Sequence, residues 1–272
     1  MPELPEVETT RRGLLPHVRQ QRIVRLTLHE RRLRWPVPAT LPAKAAGLLI
    51  ADVTRRAKYL LLDLDRGGHL LIHLGMSGSL RIVEANTPRL KHDHFEIELE
   101  SGLRLRFNDP RRFGSLHWLE GDPSTHPLLA SLGPEPLSAA FDADYLWSRL
   151  RKRKMAIKSL IMNANIVVGV GNIYASESLF LAGIRPGRQA GKLTRDETTR
   201  LTEAIKLVLQ QAIDVGGTTL RDFVGADGKP GYFRQKLHVY ERAGEPCRRC
   251  GESIRTRVLA QRATYWCSAC QR

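Results

Sequence analysis

The stretch Phe95-Glu-Ile-Glu-Leu-Glu-Ser-Gly-Leu-Arg-Leu-Arg-Phe107 decides the fold of the amino-terminal half of the chain. Apolar and charged residues alternate on both sides of the turn residues Ser101 and Gly102. Successive side chains of a β-strand point to opposite faces of a sheet, so this alternation is typical of strands. The stretch therefore predicts two short strands separated by a turn.

The strand pattern extends in both directions, from residue 22 to residue 120, with three further short segments that alternate or run apolar: Ile23–Leu28, Tyr59–Leu64 and His69–Leu74. Several short strands at such intervals predict a β-sandwich or a flattened barrel. Ahead of them, apolar residues at helical spacing predict a short amphipathic helix from Glu6 to Val18.

The pattern changes to helical after a linker with several Pro and Gly residues, which we expect from Gly121 to Pro136. Helices are predicted from Asp142 to Arg153, twice between Ala156 and Gly183 around Val168-Gly-Val-Gly171, and from the capping box Thr194-x-x-Glu197 to Val215. Gly216-Gly217 ends the last helix. A chain of 272 residues with 42% hydrophobic content has room for about two domains with cores of their own.

All four cysteines lie in the last 26 residues, spaced as Cys247-x2-Cys250-x16-Cys267-x2-Cys270. Two Cys-x2-Cys knuckles on facing hairpins supply four soft ligands for one tetrahedral zinc ion. The alternative, a pair of disulfides, is disfavoured in a reducing compartment. Because all four positions are filled, we expect one structural Zn²⁺ that supplies folding free energy to the tail.

The charge of the chain indicates a nucleic-acid partner. Lys and Arg number 43 against 28 Asp and Glu, which gives a net charge of +15, and residues 149–158 contain six cations and no acid. A global excess combined with clustering favours binding to a polyanion. Membrane binding fits the charge, but no apolar stretch of ~18 residues and no signal peptide is present, so a soluble intracellular protein is expected.

The chain begins Met1-Pro2-Glu3-Leu4-Pro5-Glu6. If Met1 is cleaved, Pro2 exposes a secondary amine with a pKa near ~8, and such an amine attacks an aldehyde-like carbon to give an iminium ion. Glu3 is then the adjacent proton donor. On these residues alone, a proline that merely starts a helix is the simpler interpretation.

Two other motifs give weaker indications of function. Gly169-x-Gly171 lacks the third glycine of a dinucleotide-binding loop, since Tyr174 stands there, and a close approach of backbone to phosphate beside Asn172 is a better use of it. The pair His92 and His94 has no further metal ligands nearby in sequence, so phosphate contact or surface placement is expected.

Seven segments together resemble bacterial formamidopyrimidine-DNA glycosylases, from one end of the chain to the other: Pro2-Glu-Leu-Pro-Glu-Val-Glu-Thr9, Arg56-Ala-Lys-Tyr-Leu60, His73-Leu-Gly-Met-Ser-Gly78, Asp109-Pro-Arg-Arg-Phe-Gly114, Val168-Gly-Val-Gly-Asn-Ile-Tyr174, Asp227-Gly-Lys-Pro-Gly-Tyr232 and the four-cysteine tail. The resemblance implies an α+β multidomain fold in which DNA is bound between lobes. We expect a catalytic β-sandwich domain with a leading helix in residues 1–133, a helix-two-turns-helix domain in 134–225, and a lesion loop with a four-cysteine zinc-finger β-hairpin in 226–272.

The resemblance also implies a bifunctional base-excision-repair enzyme. It removes oxidised purines, notably 8-oxoguanine and formamidopyrimidines, from double-stranded DNA through a Schiff base on Pro2, with Glu3 as acid, and then cuts the abasic site by β,δ-elimination. By the same resemblance Lys58 assists β-elimination and Arg262 assists δ-elimination. Because Arg is a poor proton donor, we prefer to assign Lys58 and Arg262 to clamping phosphates.

Eight positions are expected to contact DNA: His73, Asn172 and Tyr240 as helpers of the phosphate clamp, and the other five by the same resemblance. Met76 and Phe113 are the wedge that fills the gap left by an everted base, and Arg111 reads the orphaned cytosine. The remaining five are His73, His92, Arg153, Asn172 and Tyr240. Residues 225–233 are expected to be a mobile loop that closes over the everted base.

The chain departs from the family pattern at Asn163, where the family usually has an acid, which puts a local cap or supporting contact in doubt. Two alternatives stay open: an endonuclease VIII-type glycosylase for oxidised pyrimidines, and a non-catalytic zinc-ribbon DNA-binding protein. We expect a monomer in the bacterial cytoplasm, nucleoid-associated through DNA binding.

Overall fold

The computed structural model describes residues 2–217 and 237–272, and the loop predicted over residues 225–233 lies outside them. The helices in the described residues are α1 (Leu4–Val18), α2 (Leu41–Ala45), α3 (Pro127–Ala130), α4 (Ala143–Leu150), α5 (Ile157–Ile161), α6 (Asn172–Leu181) and α7 (Arg195–Asp214). The strands are β1 (Gln21–Leu28), β2 (Leu49–Arg56), β3 (Tyr59–Leu64), β4 (Gly68–His73), β5 (Ser79–Val83), β6 (Asp93–Leu99), β7 (Arg104–Asn108), β8 (Ser115–Glu120), β9 (Ile254–Leu259) and β10 (Arg262–Cys267).

Eight strands pair antiparallel in the order β5-β7-β6-β1-β2-β3-β4-β8. Strand β1 belongs to both halves: Gln21 and Arg22 pair with β2, whereas Ile23 onward pairs with β6, with a register shift between Ile23 and Arg25. A bulge bends a strand, and here it directs the two halves over a common core. That core joins buried residues of both halves to α1: Val7, Leu14, Ile50, Leu60, Leu62, Ile72, Phe95, Ile97, Leu105 and Phe107. The expected β-sandwich with a leading helix is confirmed.

The alternation in β6 does not separate a buried face from an exposed one. Glu96 is 9% exposed and Arg106, on the neighbouring strand β7, is 2% exposed, and their side chains pair at 3.0 Å. Arg106 also donates to the carbonyls of Thr87 and Pro88. A buried charge needs such partners. The segment before β6 therefore covers the polar face of β6 and β7, and its carbonyl groups accept hydrogen bonds from Arg106.

The second part of the chain holds helices α4 to α7 and the hairpin β9–β10. The predicted capping box is formed, because Thr194 N donates to Glu197 Oε2 at 2.8 Å and Glu197 N donates to Thr194 Oγ1 at 3.2 Å. Asn163 ends the turn after α5, where its Oδ1 accepts from Asn165 N at 3.0 Å. The amide oxygen of Asn163 therefore closes a local turn in the segment after α5.

The described residues form two compact units, residues 2–130 with 215–217 and residues 131–214 with 237–272. The expected domain boundary after residue 133 stays a prediction, and the one after residue 225 lies outside the described residues. Within the described part of the chain, no helix combines the length and apolar character needed to cross a membrane.

Candidate active site and nucleic-acid interface

The amino-terminal residues are held by α1. Pro2 and Glu3 precede the helix and are buried, and Glu3 N donates to Glu6 Oε2 at 2.8 Å. This is the reciprocal half of a capping box, which fixes the entry of the chain into a helix. Leu4, with no exposed surface, and Val7 anchor the first turn. The local sequence therefore places Pro2 beside a buried carboxyl group on a rigid element.

Lys58 lies in the turn between β2 and β3. Arg56 and Tyr59 are paired across this turn, and Ala57 adopts a left-handed conformation with φ of 55°. Such a φ is uncommon for a residue with a side chain and is typical of tight turns. Tyr59 in turn pairs with His73 on β4, so the turn places Lys58 close to that histidine.

His73 is neutral in the folded protein. Burial, the largest cause, and the nearby cations Lys58 and Arg34 together lower its pKa to about 4. Gly75 N donates to His73 Nδ1 at 2.9 Å, so the ring proton is on Nε2. A neutral imidazole with an Nε2–H is a hydrogen-bond donor suited to a phosphate oxygen.

The structure brings the expected wedge residues together. Met76, in the turn after β4, and the 42% exposed Phe113, in the loop after β7, line one cavity of about 520 Å³ with His73. The guanidinium of Arg111 lies 4.7 Å from the centroid of the Phe113 ring. An apolar cavity bordered by an exposed aromatic ring and a stacked cation can receive nucleobases.

His92 lies just before β6, with its ring 6.3 Å from that of His94. His94 is buried, and its Nε2 donates to the Asp109 carbonyl at 2.7 Å, so it serves the β7–β8 loop. In residues 2–217 and 237–272, the four cysteines are the one cluster of potential ligands that could hold a metal ion. In the described part of the chain, His92 is therefore not part of a metal-binding cluster. Its contact with DNA stays a prediction.

In the second unit, Asn172 and Arg262 are linked through the hairpin. Asn172 begins α6, and its Nδ2 donates at 3.0 Å to the carbonyl of Ala263, the neighbour of the exposed Arg262 at the start of β10. Lys158, 1% exposed, donates from Nζ to Thr264 Oγ1 at 2.8 Å and to the same Ala263 carbonyl at 3.1 Å. In the sequence Lys158 is only one member of a basic run, so this contact, which fixes the hairpin to α5, was missed.

Tyr240 is held by a buried carboxylate that the sequence does not reveal. Glu177 on α6 accepts from the backbone N–H groups of His238, Val239 and Tyr240 at 2.8 to 2.9 Å. Nothing in an amphipathic helical pattern distinguishes such a Glu from a surface one. Arg153, by contrast, lies in the loop between α4 and α5 and is exposed to solvent.

The four cysteine sulfur atoms converge. Their Sγ atoms all lie within 4.8 Å of one another, with Cys247 3.9 Å from Cys270 and Cys250 3.4 Å from Cys267. A tetrahedral zinc ion with bonds of ~2.3 Å requires sulfur separations of roughly 3.8 Å, whereas a disulfide requires about 2.05 Å. Burial opposes ionisation of Cys247, but backbone N–H groups of Arg249 and Cys250 outweigh it and lower the pKa to about 7. The cluster fits one structural zinc ion, as expected from the spacing.

Models of known protein families match most of the residues in the chain. Three family models match the chain: the formamidopyrimidine-DNA glycosylase N-terminal domain over residues 1–116, the formamidopyrimidine-DNA glycosylase H2TH domain over residues 132–224, and the zinc finger found in FPG and IleRS over residues 244–272. The helix-two-turns-helix and zinc-finger parts of the expected fold are thereby confirmed.

Relatives that match over the full length of the chain indicate the same family as these models. The chain is 58% identical over all 272 residues to a formamidopyrimidine-DNA glycosylase of Thioalkalivibrio sulfidiphilus, with both chains fully covered. It superimposes with a TM-score of 0.89 and 41% identity on the MutM (Fpg) protein of Thermus thermophilus, covering 99% of this chain and 98% of that one. For a Lactococcus lactis FPG mutant in complex with DNA containing Fapy-dG, the TM-score is 0.94 at 33% identity, with both chains fully covered. The chain belongs to the formamidopyrimidine-DNA glycosylase family.

Proposed function

We propose that this chain is a bifunctional DNA glycosylase and abasic-site lyase that removes oxidised purines, including 8-oxoguanine and formamidopyrimidines, from duplex DNA. The observation that carries this proposal is the wedge group, in which Arg111 stacks on exposed Phe113 beside Met76. Family membership over the full length supports it. The net charge of +15 suits a partner with a continuous phosphate backbone.

The wedge group addresses the physical problem of reaching a base inside a duplex. Extruding a base costs a few kcal/mol, less where the pair is already damaged. In the proposed function, Met76 and Phe113 occupy the vacated space and thereby hold the base outside the stack. Arg111, a planar and permanently charged donor, bonds to the cytosine left without a partner.

Pro2 supplies the nucleophile in the proposed reaction. Its unprotonated secondary amine attacks the anomeric carbon, and the bond to the base breaks as the base leaves with the electron pair. The proton that the proline nitrogen then carries passes to the departing base. Glu3 donates a proton to the sugar oxygen as the ring opens, which yields an iminium ion. The iminium acidifies the neighbouring carbon, so loss of that proton expels the 3′ phosphate, and a second elimination expels the 5′ phosphate.

The basic residues hold the strand during these steps. Lys58 and Arg262 bind the phosphates that flank the lesion, His73 donates from Nε2, and Asn172 and Tyr240 assist on the helical side. His92 and Arg153 extend the contact to neighbouring phosphates. We also propose that the protein works as a monomer on chromosomal DNA in the cytoplasm.

The substrate proposal is tested by comparing release of 8-oxoguanine with release of an oxidised pyrimidine from otherwise identical duplexes. We expect faster release of 8-oxoguanine when it lies opposite cytosine. Faster release of the pyrimidine would establish an endonuclease VIII-type preference instead, and binding without release of either base would indicate a non-catalytic DNA-binding protein.

The nucleophile proposal has its own control in the state of the chain terminus. A preparation that retains Met1, checked by intact mass, should bind a duplex with an abasic-site analogue nearly as well as one that begins at Pro2, but should lose covalent chemistry. If both preparations cut abasic DNA at the same rate, Pro2 is not the nucleophile.

A further inference from the structure

The two loops that carry the wedge meet at one carboxylate. Asp109, with no exposed surface, follows β7, and its Oδ1 accepts from Ser77 Oγ at 2.7 Å and from Arg111 N at 3.3 Å. Its Oδ2 accepts from Gly114 N at 2.8 Å. In sequence, Ser77 follows Met76 directly, and Phe113 lies between Arg111 and Gly114. One side chain therefore bonds to both loops, although Ser77 and Asp109 are 32 residues apart in sequence.

The backbones of the two loops are packed against each other at the same place. A Cβ atom added to Gly75 would lie 2.4 Å from Gly114 N and 2.8 Å from Phe113 O, closer than atoms approach without displacement. Gly75 also has a φ of +68°, which side chains disfavour. The two loops are therefore in direct backbone contact at Gly75, and no side chain other than the hydrogen of glycine fits there.

Asp109 is itself fixed to the sheet. Its backbone N–H donates to the His92 carbonyl at 3.0 Å, and its own carbonyl accepts from His94 Nε2 at 2.7 Å. That carbonyl also accepts from Arg112 N at 3.2 Å. The carboxylate thus has a set position relative to β6 and β7, and both loops take their position from it.

Hydrogen bonds to an ionised acceptor are stronger than neutral ones, and a buried donor left without an acceptor bears its full desolvation penalty. Asp109→Asn weakens this set of bonds in either orientation of the amide. With its NH₂ toward Gly114, two donors face each other. With its NH₂ toward Ser77, the hydroxyl can turn and accept, but Arg111 N–H loses its acceptor.

We propose that Asp109 is a positioning residue that couples the Met76 loop to the Arg111–Phe113 loop, so that insertion into the gap and reading of the opposite base occur as one event. This inference rests on the proposed function, because it takes Met76, Arg111 and Phe113 as the wedge. Asp109 touches neither DNA nor the reacting atoms in this role.

The test uses the full-length zinc-loaded protein and three variants. Asp109→Asn disturbs the β7–β8 loop, Ser77→Ala removes only the link to the Met76 loop, and Asp65→Asn is a matched control. Asp65 also accepts a backbone N–H, that of Leu49 at 2.9 Å, but does so at the far end of β3 from His73.

Two readouts separate positioning from general stability. The first is the ratio of 8-oxoguanine release opposite cytosine to release opposite adenine, which does not depend on the folded fraction because both rates come from one preparation. The second is the fluorescence of 2-aminopurine beside an uncleavable abasic-site analogue, which reports wedge insertion without any chemistry. We expect Asp109→Asn to lower the ratio about tenfold and to reduce the fluorescence change, since one charged hydrogen bond corresponds to about that factor.

Ser77→Ala is expected to reduce the fluorescence change and to lower the ratio less than Asp109→Asn does, whereas Asp65→Asn should leave both at wild-type values. The coupling is refuted if Asp109→Asn keeps the wild-type ratio and fluorescence change, or if Asp65→Asn loses as much. Should Asp109→Asn fail to fold, a wild-type fluorescence change with Ser77→Ala refutes it alone. Failure of the proposed function is distinguishable, because the wild-type protein would then release no 8-oxoguanine.

Discussion

The β-sandwich and the zinc hairpin hold their site residues by different means. The sandwich has an extensive apolar core that joins both halves of its sheet to α1. Among the described residues, the buried cluster at the hairpin is small and includes two metal ligands: Phe180, Val239, Cys247, Ile254 and Cys267. Burial of apolar surface can fold the first region by itself, whereas the second requires the metal and a few buried ionic contacts.

Among the changes that separate the two regions, removal of zinc should have the largest effect, because it should unfold the hairpin and leave the sandwich folded. Structural zinc in small fingers contributes about 10–16 kcal/mol of binding free energy, which no apolar core replaces in residues 247–270. We expect one zinc per chain by metal analysis, and we expect a chelator to abolish protection from hydrogen exchange in β9 and β10 while β3 and β4 stay protected. DNA affinity should fall before the sandwich unfolds. Simultaneous loss of protection in both regions would contradict the contrast.

Phe107→Ala is the converse change in the sandwich. Phe107 has no exposed surface and stacks on Phe95 with ring centroids 4.9 Å apart, so truncation should destabilise the sandwich by about 3–5 kcal/mol. Urea unfolding followed by hydrogen exchange measures this loss. Zinc content should stay at one per chain, and loss of the metal in this variant would mean that the hairpin depends on the sandwich.

Glu177→Gln tests the buried carboxylate that holds the backbone of residues 238–240, ahead of the zinc hairpin. The amide keeps one oxygen where the carboxylate used two for the N–H groups of His238, Val239 and Tyr240, so we expect a local loss of about 1–3 kcal/mol. Hydrogen exchange of residues 238–240 should accelerate. Glu203→Gln, on the exposed face of α7, is the control and should leave those amides unchanged.

The pH dependence of stability should show a smaller effect, which belongs to the sandwich. The pKa of His73 is about 4 in the folded protein and 6.5 without the fold, so below pH 6.5 the unfolded chain binds a proton that the folded protein does not. Stability is therefore lost as pH falls from 6.5 toward 4, by about 2 kcal/mol between pH 7 and pH 5.

His73→Asn keeps an acceptor for Gly75 N but has no titrating ring, so it should lose less stability over this interval. Urea midpoints at the two pH values measure the difference. Equal losses in the variant and the wild type would mean that other groups account for the dependence.

Local patterns predicted much of the fold. The alternation in residues 95–107 predicted β6 and β7, and the capping box at Thr194 predicted the start of α7, because both depend on neighbours in sequence. Strand β2 was missed, since its register shifts between Ile50 and Asp52 and its apolar residues do not alternate. Strands β5 and β8 were missed as well, and each begins directly after a glycine, Gly78 or Gly114.

Contacts between distant residues could not be predicted in this way. Asp109 belongs to the sequence motif Asp109–Gly114, but its bond to Ser77 follows only from the pairing of β5 with β7. Glu177 and Lys158 are charged residues in helices, where the usual expectation is exposure to solvent. Lys158 is bonded to β10 and Glu177 to the backbone of residues 238–240, and no local pattern encodes either contact.

The most direct measurement is to map the covalent adduct that borohydride traps between this protein and an 8-oxoguanine duplex. Digestion and mass spectrometry should find the deoxyribose remnant on the amino-terminal nitrogen of Pro2, in the peptide that also contains Glu3, and a preparation that retains Met1 should give no adduct. An adduct on Lys58 or on another lysine, or no adduct with a correctly processed terminus, would contradict catalysis by the terminal amine.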